Sequence, residues 1–383
     1  MVGHRGPPFS SAIDAISWDS LATGSPFVRH AFLAALERSG AAARASGWTP
    51  RHVCVWQQER LLACAPAYEK RHSYGEYVFD WSWAEAWEQA GGNYYPKLSC
   101  AIPFTPVSGP RLFARDTKAR EALAAALLEC ARGHAFSSLH VLFPCDTDLQ
   151  VLTGAGLLAR HGVQFHWKNR GYRDFDEFLA ALTPARRKKI RQERRRVREA
   201  GVEIRVLCGE HLGQAELDFI YRCYASTYYV RGREPYLPRV FFDLLLGAMP
   251  GSVMAVLALR HGQPVACAFN LYDEHRLYGR YWGEIEHVPL LHFECCYYAG
   301  IEWCIARGLQ VFEGGAQGEH KIARGFEPVK THSAHWLADT RLATAVGRWL
   351  ERERHAIERY IAELATHDSY RPSGGGGQGG QSA

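Results

Sequence analysis

Nowhere in the 383 residues does an apolar run approach the roughly 18 needed to span a bilayer. No N-terminal segment joins a basic start to an apolar stretch either. On those absences neither a helical membrane span nor export is expected, and the expected localisation is cytoplasmic. Paired cysteines are lacking too: eleven are scattered through the chain, none with Cys-x-x-Cys spacing, which excludes a zinc ribbon or a thioredoxin-like redox motif. An odd number, with Cys295 and Cys296 adjacent, suits free thiols in a reducing compartment. His332-Ser-Ala-His335 lacks the i, i+4 spacing of a helical metal site, so neither a metal nor a permanently bound cofactor is expected.

A uniformly basic surface is also missing, although the net charge is +5. Between Arg186 and Arg198 nine residues are basic and one is acidic, and the rest of the chain holds slightly more acids than bases. The positive charge is therefore a local device. Thr183-Pro184 is a helix start, with a capping hydroxyl and proline at the first helical position. Along that helix Ile190 and Val197 form a thin apolar seam, which leaves most of the cations to water or to a partner.

With 47% hydrophobic residues the chain can bury more than one core. Val253 to Leu259, Val265 to Tyr272 and Leu277 to Trp282 read as an antiparallel meander, Leu290 to Arg307 as a largely apolar helix closed by Gly308, and Leu309 to Phe312 as a strand. A weaker echo occurs at Val53 to Trp56, Leu61 to Tyr68, Tyr77 to Trp83, Glu121 to Arg132 and Ser138 to Phe143, which points to internal duplication. The expected division is a unit at 1–168, a second at 169–368 that includes the basic helix 184–200, and a disordered glycine-rich tail at 369–383.

Chemistry concentrates in Glu313-Gly-Gly-Ala-Gln-Gly-Glu-His-Lys-Ile-Ala-Arg-Gly-Phe326, which places four glycines, two carboxylates, His, Lys and Arg in one loop or short helix after a strand. Ligands bind at the carboxyl ends of strands in α/β sheets. Glycines allow close backbone approach, and free N–H groups beside Lys321 and Arg324 suit an anion. The first copy has Pro144-Cys-Asp-Thr-Asp148 instead, so it is expected to be non-catalytic.

Four segments, Leu277–Gly283, His292–Tyr298, Gly314–Lys321 and Arg324–Pro328, resemble the FemAB-like branch of the GNAT acyltransferase superfamily. The resemblance extends over roughly Phe9 to Thr366. It implies a mixed α/β (α+β) fold of tandem GNAT-like domains, each a largely antiparallel sheet flanked by helices, with the acyl-transfer site in the second. It also implies a peptidoglycan-related acyltransferase or aminoacyltransferase that forms an amide on an amine acceptor, with acyl-CoA or aminoacyl-tRNA as co-substrate. Where the acyl-CoA pattern has Arg/Gln-x-x-Gly-x-Gly/Ala, this chain has Gly283-Glu-Ile-Glu-His-Val-Pro289. The alternative is a non-catalytic recognition module for an anionic or peptidoglycan-like ligand.

Amide formation needs a base for the amine and donors for the polarised carbonyl. Glu319, His320 and Glu313 are the expected bases, and Arg280, Trp282, His292, Glu294, Gln317, Lys321 and Arg324 the expected substrate-binding set. Strand alternation puts Arg280 and Trp282 on one face, with Glu294 or Glu313 as the expected salt-bridge partner of Arg280. Arg187, Lys188, Arg191, Arg194 and Arg195, with Trp167 and Tyr172 upstream, are the expected contacts to tRNA or another polyanion, and an anionic membrane is a further possible partner.

Overall fold

The three runs from Val253 to Glu284 are apolar on both faces because helices cover both faces of the sheet they build. The computed structural model describes residues 2–3, 13–315, 318–366 and 369–371. Its strands are β1 (Val2–Gly3), β2 (Trp48–Pro50), β3 (Val53–Gln57), β4 (Arg60–Ala65), β5 (Ala67–Lys70), β6 (Lys97–Cys100), β7 (Phe113–Ala114), β8 (Ser138–Leu142), β9 (Leu158–Lys168), β10 (Val202–Cys208), β11 (Val253–Arg260), β12 (Gln263–Tyr272), β13 (Arg276–Glu284), β14 (Val311–Glu313) and β15 (Phe326–Leu337). The helices are α1 (Ala15–Asp19), α2 (His30–Arg38), α3 (Trp81–Gln89), α4 (Thr117–Gly133), α5 (Asp146–Gly154), α6 (Phe175–Ala181), α7 (Pro184–Glu199), α8 (Gln214–Tyr229) and α9 (Arg239–Ala248). Leu291–Phe293, Glu294–Tyr298 and Ala299–Arg307 run on as one helix, α10, whose middle segment has π geometry, and α11 spans Thr340–Thr366.

Among the described residues one sheet has the order β10-β11-β12-β13-β14-β9-β15-β8-β6-β5-β2, and a smaller one the order β1-β3-β4-β7. The duplication is visible in the crossovers: β6 and β8 pair in parallel around α4, as β13 and β14 do around α10. Each half then lends a strand to the other. Strand β9 leaves the first half to pair with β14, β15 returns from the second half to pair with β8, and β9 and β15 pair along ten positions from Phe326↔Trp167 to His335↔Leu158. Strand alternation divides the core: Val253, Ala255 and Leu257 face the α8–α9 side, while Met254, Val256 and Ala258 face the α10 side.

Several expectations shift. Tyr77 to Trp83 is not a strand: Tyr77 has a φ of 59°, and Trp81 begins α3. The third strand of the first copy is β6, and β14 runs one residue past the expected Phe312. The start of α7 keeps its proline, but the Thr183 hydroxyl makes no capping bond. Residues 369–371 are docked rather than a free tail: Ser369 and Tyr370 are buried, and the Tyr370 hydroxyl donates to the Gly325 carbonyl at 2.9 Å. The expected tail from 372 lies outside the described residues.

Gly283 is where β13 meets α8 most closely. A Cβ there would lie 1.9 Å from the carbonyl oxygen of Cys223, which neither backbone can yield. Gly283→Ala should therefore destabilise the protein by about 1–3 kcal/mol through overpacking, measured as a lowered urea midpoint at unchanged m-value.

Candidate functional site

Strands β13 and β14 share only three register pairs, Arg276↔Val311 to Tyr278↔Glu313, while β13 stays paired to β12 as far as Glu284. A wedge therefore opens between them at their carboxyl ends. The glycine-rich segment crosses its mouth. Gly315 has a φ of 84°, and a Cβ on it would lie 3.8 Å from the Gly279 carbonyl and 4.0 Å from Lys321 Nζ. The segment then forms a short 3₁₀ turn, Glu319–Arg324, before Gly325 leads into β15.

Lys321 is 2% exposed, and among the described residues its only hydrogen-bond acceptor is the Gly315 carbonyl, at 2.8 Å. Among those residues no carboxylate pairs with it. Burial lowers its pKa to about 8, with the neighbouring Cys296 acting in the opposite sense. His320 sits at the rim with Nε2 2.9 Å from the Tyr297 hydroxyl, and its pKa is lowered by burial and by Lys321 and Arg324. Glu319 is exposed, and one of its oxygens accepts from the Tyr360 hydroxyl. His292 is packed against Trp282, Tyr297 and Phe293, and burial lowers its pKa to about 4, so its imidazole is neutral near pH 7. Gln317 lies outside the described residues.

Glu313, at the end of β14, is 3% exposed. Arg276 donates to its Oε1 at 2.9 Å, while Oε2 has no hydrogen-bond partner among the described residues and lies 3.8 Å from His166 Nε2. Burial raises the Glu313 pKa to about 7 against the pull of Arg276, and burial lowers that of His166 to about 3.

Arg280 corrects the alternation argument. A register shift between Phe269 and Asn270 makes it the extra residue of a β-bulge, which turns it to the side of Tyr281 and away from Trp282. Its Nη2 donates to the Phe104 carbonyl at 2.5 Å, and the guanidinium lies over Phe27. Neither expected acid is its partner: Glu313 pairs with Arg276, and Glu294 with Arg194.

Arg324 is 3% exposed and turned inward. Nη2 meets both oxygens of Glu193 at 3.0 Å, Nε donates to the Tyr298 hydroxyl at 3.0 Å, Nη1 donates to the His320 carbonyl at 2.8 Å, and the guanidinium lies 3.4 Å from the centre of the Phe293 ring. Glu193 also accepts from the Tyr298 hydroxyl. The lone acid of the basic helix thus anchors the site loop. Arg194, next along α7, binds Glu294 through Nε at 3.0 and 3.2 Å and Glu302 at 2.8 Å. The buried seam of α7 is accordingly Ile190, Glu193 and Val197.

The outer face of α7 lines a groove of about 820 Å³ with Arg187, Lys188, Arg191, Arg194, Arg195 and Arg198. Lys188 is exposed, and the pairs Arg191–Asp176 and Arg195–Glu199 are solvated. Arg194 is already held from inside. Trp167, named with the expected polyanion contacts, is fully buried, and Tyr172 packs against Phe178. Cys295 is buried, and burial holds its thiol well above the usual range.

Of the expected residues, Trp282, His292 and His320 are in ring contact, with Lys321 next along the chain, Arg324 and Glu294 hold the loop and α10 from inside, and Glu313 with Arg280 lies toward the other sheet face. Tyr297, Tyr298, Cys296, Arg276 and His166 were not anticipated. The one visible signal was Glu193, a single acid among nine bases. Truncating it to alanine leaves a buried guanidinium without its carboxylate, and should cost about 3–5 kcal/mol in chemical denaturation. Glu193→Met combined with Arg324→Met should recover most of that loss.

Residues 10–372 match a family described as FemAB-like, peptidoglycan biosynthesis/recognition. No curated protein matches the chain. Among solved structures, FemX superposes with a TM-score of 0.55 at 11% identity, covering 88% of this chain and 99% of its own. The C-terminal domain of a putative lysylphosphatidylglycerol synthetase from Agrobacterium fabrum gives 0.56 at 10% identity, with 88% and 95% covered. L-PGS from Bacillus licheniformis gives 0.52 at 10% identity, with 84% and 95% covered. At such identities these likenesses carry the fold, and the match across nearly the whole sequence carries the family: the chain belongs to the FemAB-like family.

Proposed function

We propose that the protein transfers an acyl or aminoacyl group to an amine by direct attack in the wedge between β13 and β14. The observation that carries this reading is Lys321, a buried ammonium that has no carboxylate partner among the described residues, at the mouth of a splayed strand pair. Such a group is arranged for a negative charge that arrives with substrate or develops on it. In the proposed reaction the amine nitrogen attacks the donor carbonyl carbon, Lys321 stabilises the oxyanion, and collapse expels the donor's hydroxyl or thiol. A base takes the amine proton and the leaving group is protonated in turn. Glu313 is the proposed base because it ends β14 in the last register pair before the strands part, and its pKa of about 7 suits proton transfer near neutral pH. His320, neutral at the rim, is the second candidate, while Glu319 is turned outward to Tyr360. The reading makes 1–168 a supporting unit and 169–368 the transfer unit.

Two features support an aminoacyl-tRNA over acyl-CoA as donor. The turn before α10 holds Glu284 and Glu286, paired with His287 and Arg260, where a pyrophosphate would meet repulsion. The α7 groove offers cations at polyanion scale. The structural neighbours, among them a putative lysylphosphatidylglycerol synthetase, are consistent with aminoacyl chemistry.

A donor screen by intact mass of products, charged tRNA against acyl-CoA thioesters with simple amines and amino-sugar peptides as acceptors, tests the reading. Lys321→Met should lower kcat by roughly 10²–10³-fold, as loss of an oxyanion donor does. Glu313→Gln should abolish the rise in rate through about pH 7. No product from any donor, with ligand still bound, would instead favour a recognition module. For the groove, replacing Arg187, Lys188, Arg191 and Arg195 by glutamine should weaken RNA binding. It should also flatten the plot of log K against log salt by about 0.7 per lost single-strand phosphate contact. Unchanged RNA retention, with loss of binding to anionic vesicles, would assign the groove to a membrane surface.

A further inference from the structure

On the opposite side of the second-half sheet from α7 lies a concave pocket of about 570 Å³, lined by Tyr74, Tyr77, Phe79 and Trp81 of the first half and by Arg233 and Tyr236 of the second. Three of these rings are exposed despite their size: Tyr74 by 47%, Phe79 by 54% and Trp81 by 38%. Exposed rings that gather in one concavity, rather than scattering, mark a binding surface. Their orientations are held from behind. Tyr74 packs on Trp81 at 4.9 Å, and Tyr236 stacks on Phe104 at 4.9 Å with planes 21° apart.

The backbone around the pocket is strained. Tyr77 and Phe104 have φ of 59° and 58°, a left-handed conformation costly for bulky residues. Gly75 lets the chain pass against Phe104, since a Cβ there would lie 2.5 Å from that ring. Strain of this kind is maintained where a surface must keep a shape for a ligand. At the rim Arg233 is exposed, and among the described residues no ion pair or side-chain hydrogen bond occupies its guanidinium; Glu234 beside it is exposed as well. The pocket floor is polar: Ser73 accepts from the buried ammonium of Lys97 at 2.7 Å and meets the Tyr95 hydroxyl at 2.9 Å.

We infer that this pocket binds a ligand with a flat ring and an anionic substituent, the ring face lying on Trp81, Tyr74 and Tyr236 and the anion on Arg233. Rings that present faces take the flat side of a sugar or base, and a guanidinium at the rim selects carboxylate or phosphate. The pocket is separate from the Lys321 wedge and does not depend on the transfer reading.

Ligand-observed NMR on the full chain tests it, with three probes: N-acetylmuramic acid (acidic sugar), adenosine monophosphate (acidic aromatic ring) and N-acetylglucosamine (neutral sugar). One of the two anionic probes should saturate with a dissociation constant of about 1 mM or tighter, and the better one identifies the ring class. Arg233→Gln and Trp81→Ala should each weaken it roughly tenfold, Trp81→Phe should retain it, and Lys321→Met should leave it unchanged. Failure of both anionic probes to saturate, equal binding of the neutral sugar, or affinity unchanged in both pocket variants would overturn the inference. Loss of binding in Lys321→Met alone would place the ligand in the wedge and overturn it as well.

Discussion

The contact between Glu193 and Arg324 governs the geometry of the candidate site. It joins a helix that is otherwise a run of cations to a loop that is otherwise mostly glycine, and neither could hold its position unaided. With nine bases along it, α7 has little apolar surface to attach it, because Ile190 and Val197 are its only buried apolar side chains. The glycine-rich loop has lost chain entropy to recover and few side chains with which to recover it. One carboxylate that accepts from a guanidinium and from the Tyr298 hydroxyl fixes both at once. Arg194 to Glu294 repeats the attachment one residue along, this time to the π segment of α10. Anything that binds the outer face of α7 therefore binds an element coupled to the mouth of the wedge by two ion pairs.

The sheet explains why the wedge stays open. Were β14 followed by a strand of its own half, the pairing could zip along β13. Instead its other neighbour is β9, supplied by the first half, and the chain leaves β14 after three residues to cross the opening. On its far side β14 is held by β9, which pairs with β15 along ten positions, so one wall of the gap is fixed by the strand exchange.

Much of this was legible in the sequence, and the failures have physical causes. The β-β-β-α-β order and the glycine-rich segment at the end of a strand could be read because both are local: apolar runs, turn residues and a left-handed Gly308 lie within one stretch. The side on which Arg280 falls could not, since a single bulge inverts alternation and leaves no composition signal. Tyr77 to Trp83 reads as a strand by residue type, yet Lys97, far along the chain, holds Glu76 and Asp80 in a buried cluster that fixes a turn there. The partners of Glu294 and Arg324 were similarly out of reach, each lying about a hundred residues away on α7. What composition did preserve was the oddity of Glu193, and a lone opposite charge inside a long run is a fair sign of an internal anchor.

Two groups in this region are displaced toward neutrality, and the linkage signs set the pH at which the site burdens the fold most. Glu313 has a folded pKa of about 7 against an ordinary 4.5, so its contribution falls as pH rises between those values, while the unfolded chain ionises first. Lys321 has a folded pKa of about 8 against 10.5, so the native state is handicapped by its charge below about 8 and recovers as pH climbs toward 10.5. Between about 7 and 8 both costs are present together: the carboxylate has ionised and the ammonium has not yet been relieved. Glu313 has Arg276 as its partner, whereas Lys321 has only a backbone carbonyl among the described residues, and a structure selected for stability alone would pair that lysine or replace it with an apolar residue. In the proposed reading that burden is the cost of keeping the Lys321 charge open for substrate, in a turn that leaves the end of β14 and lies beside the parting strands.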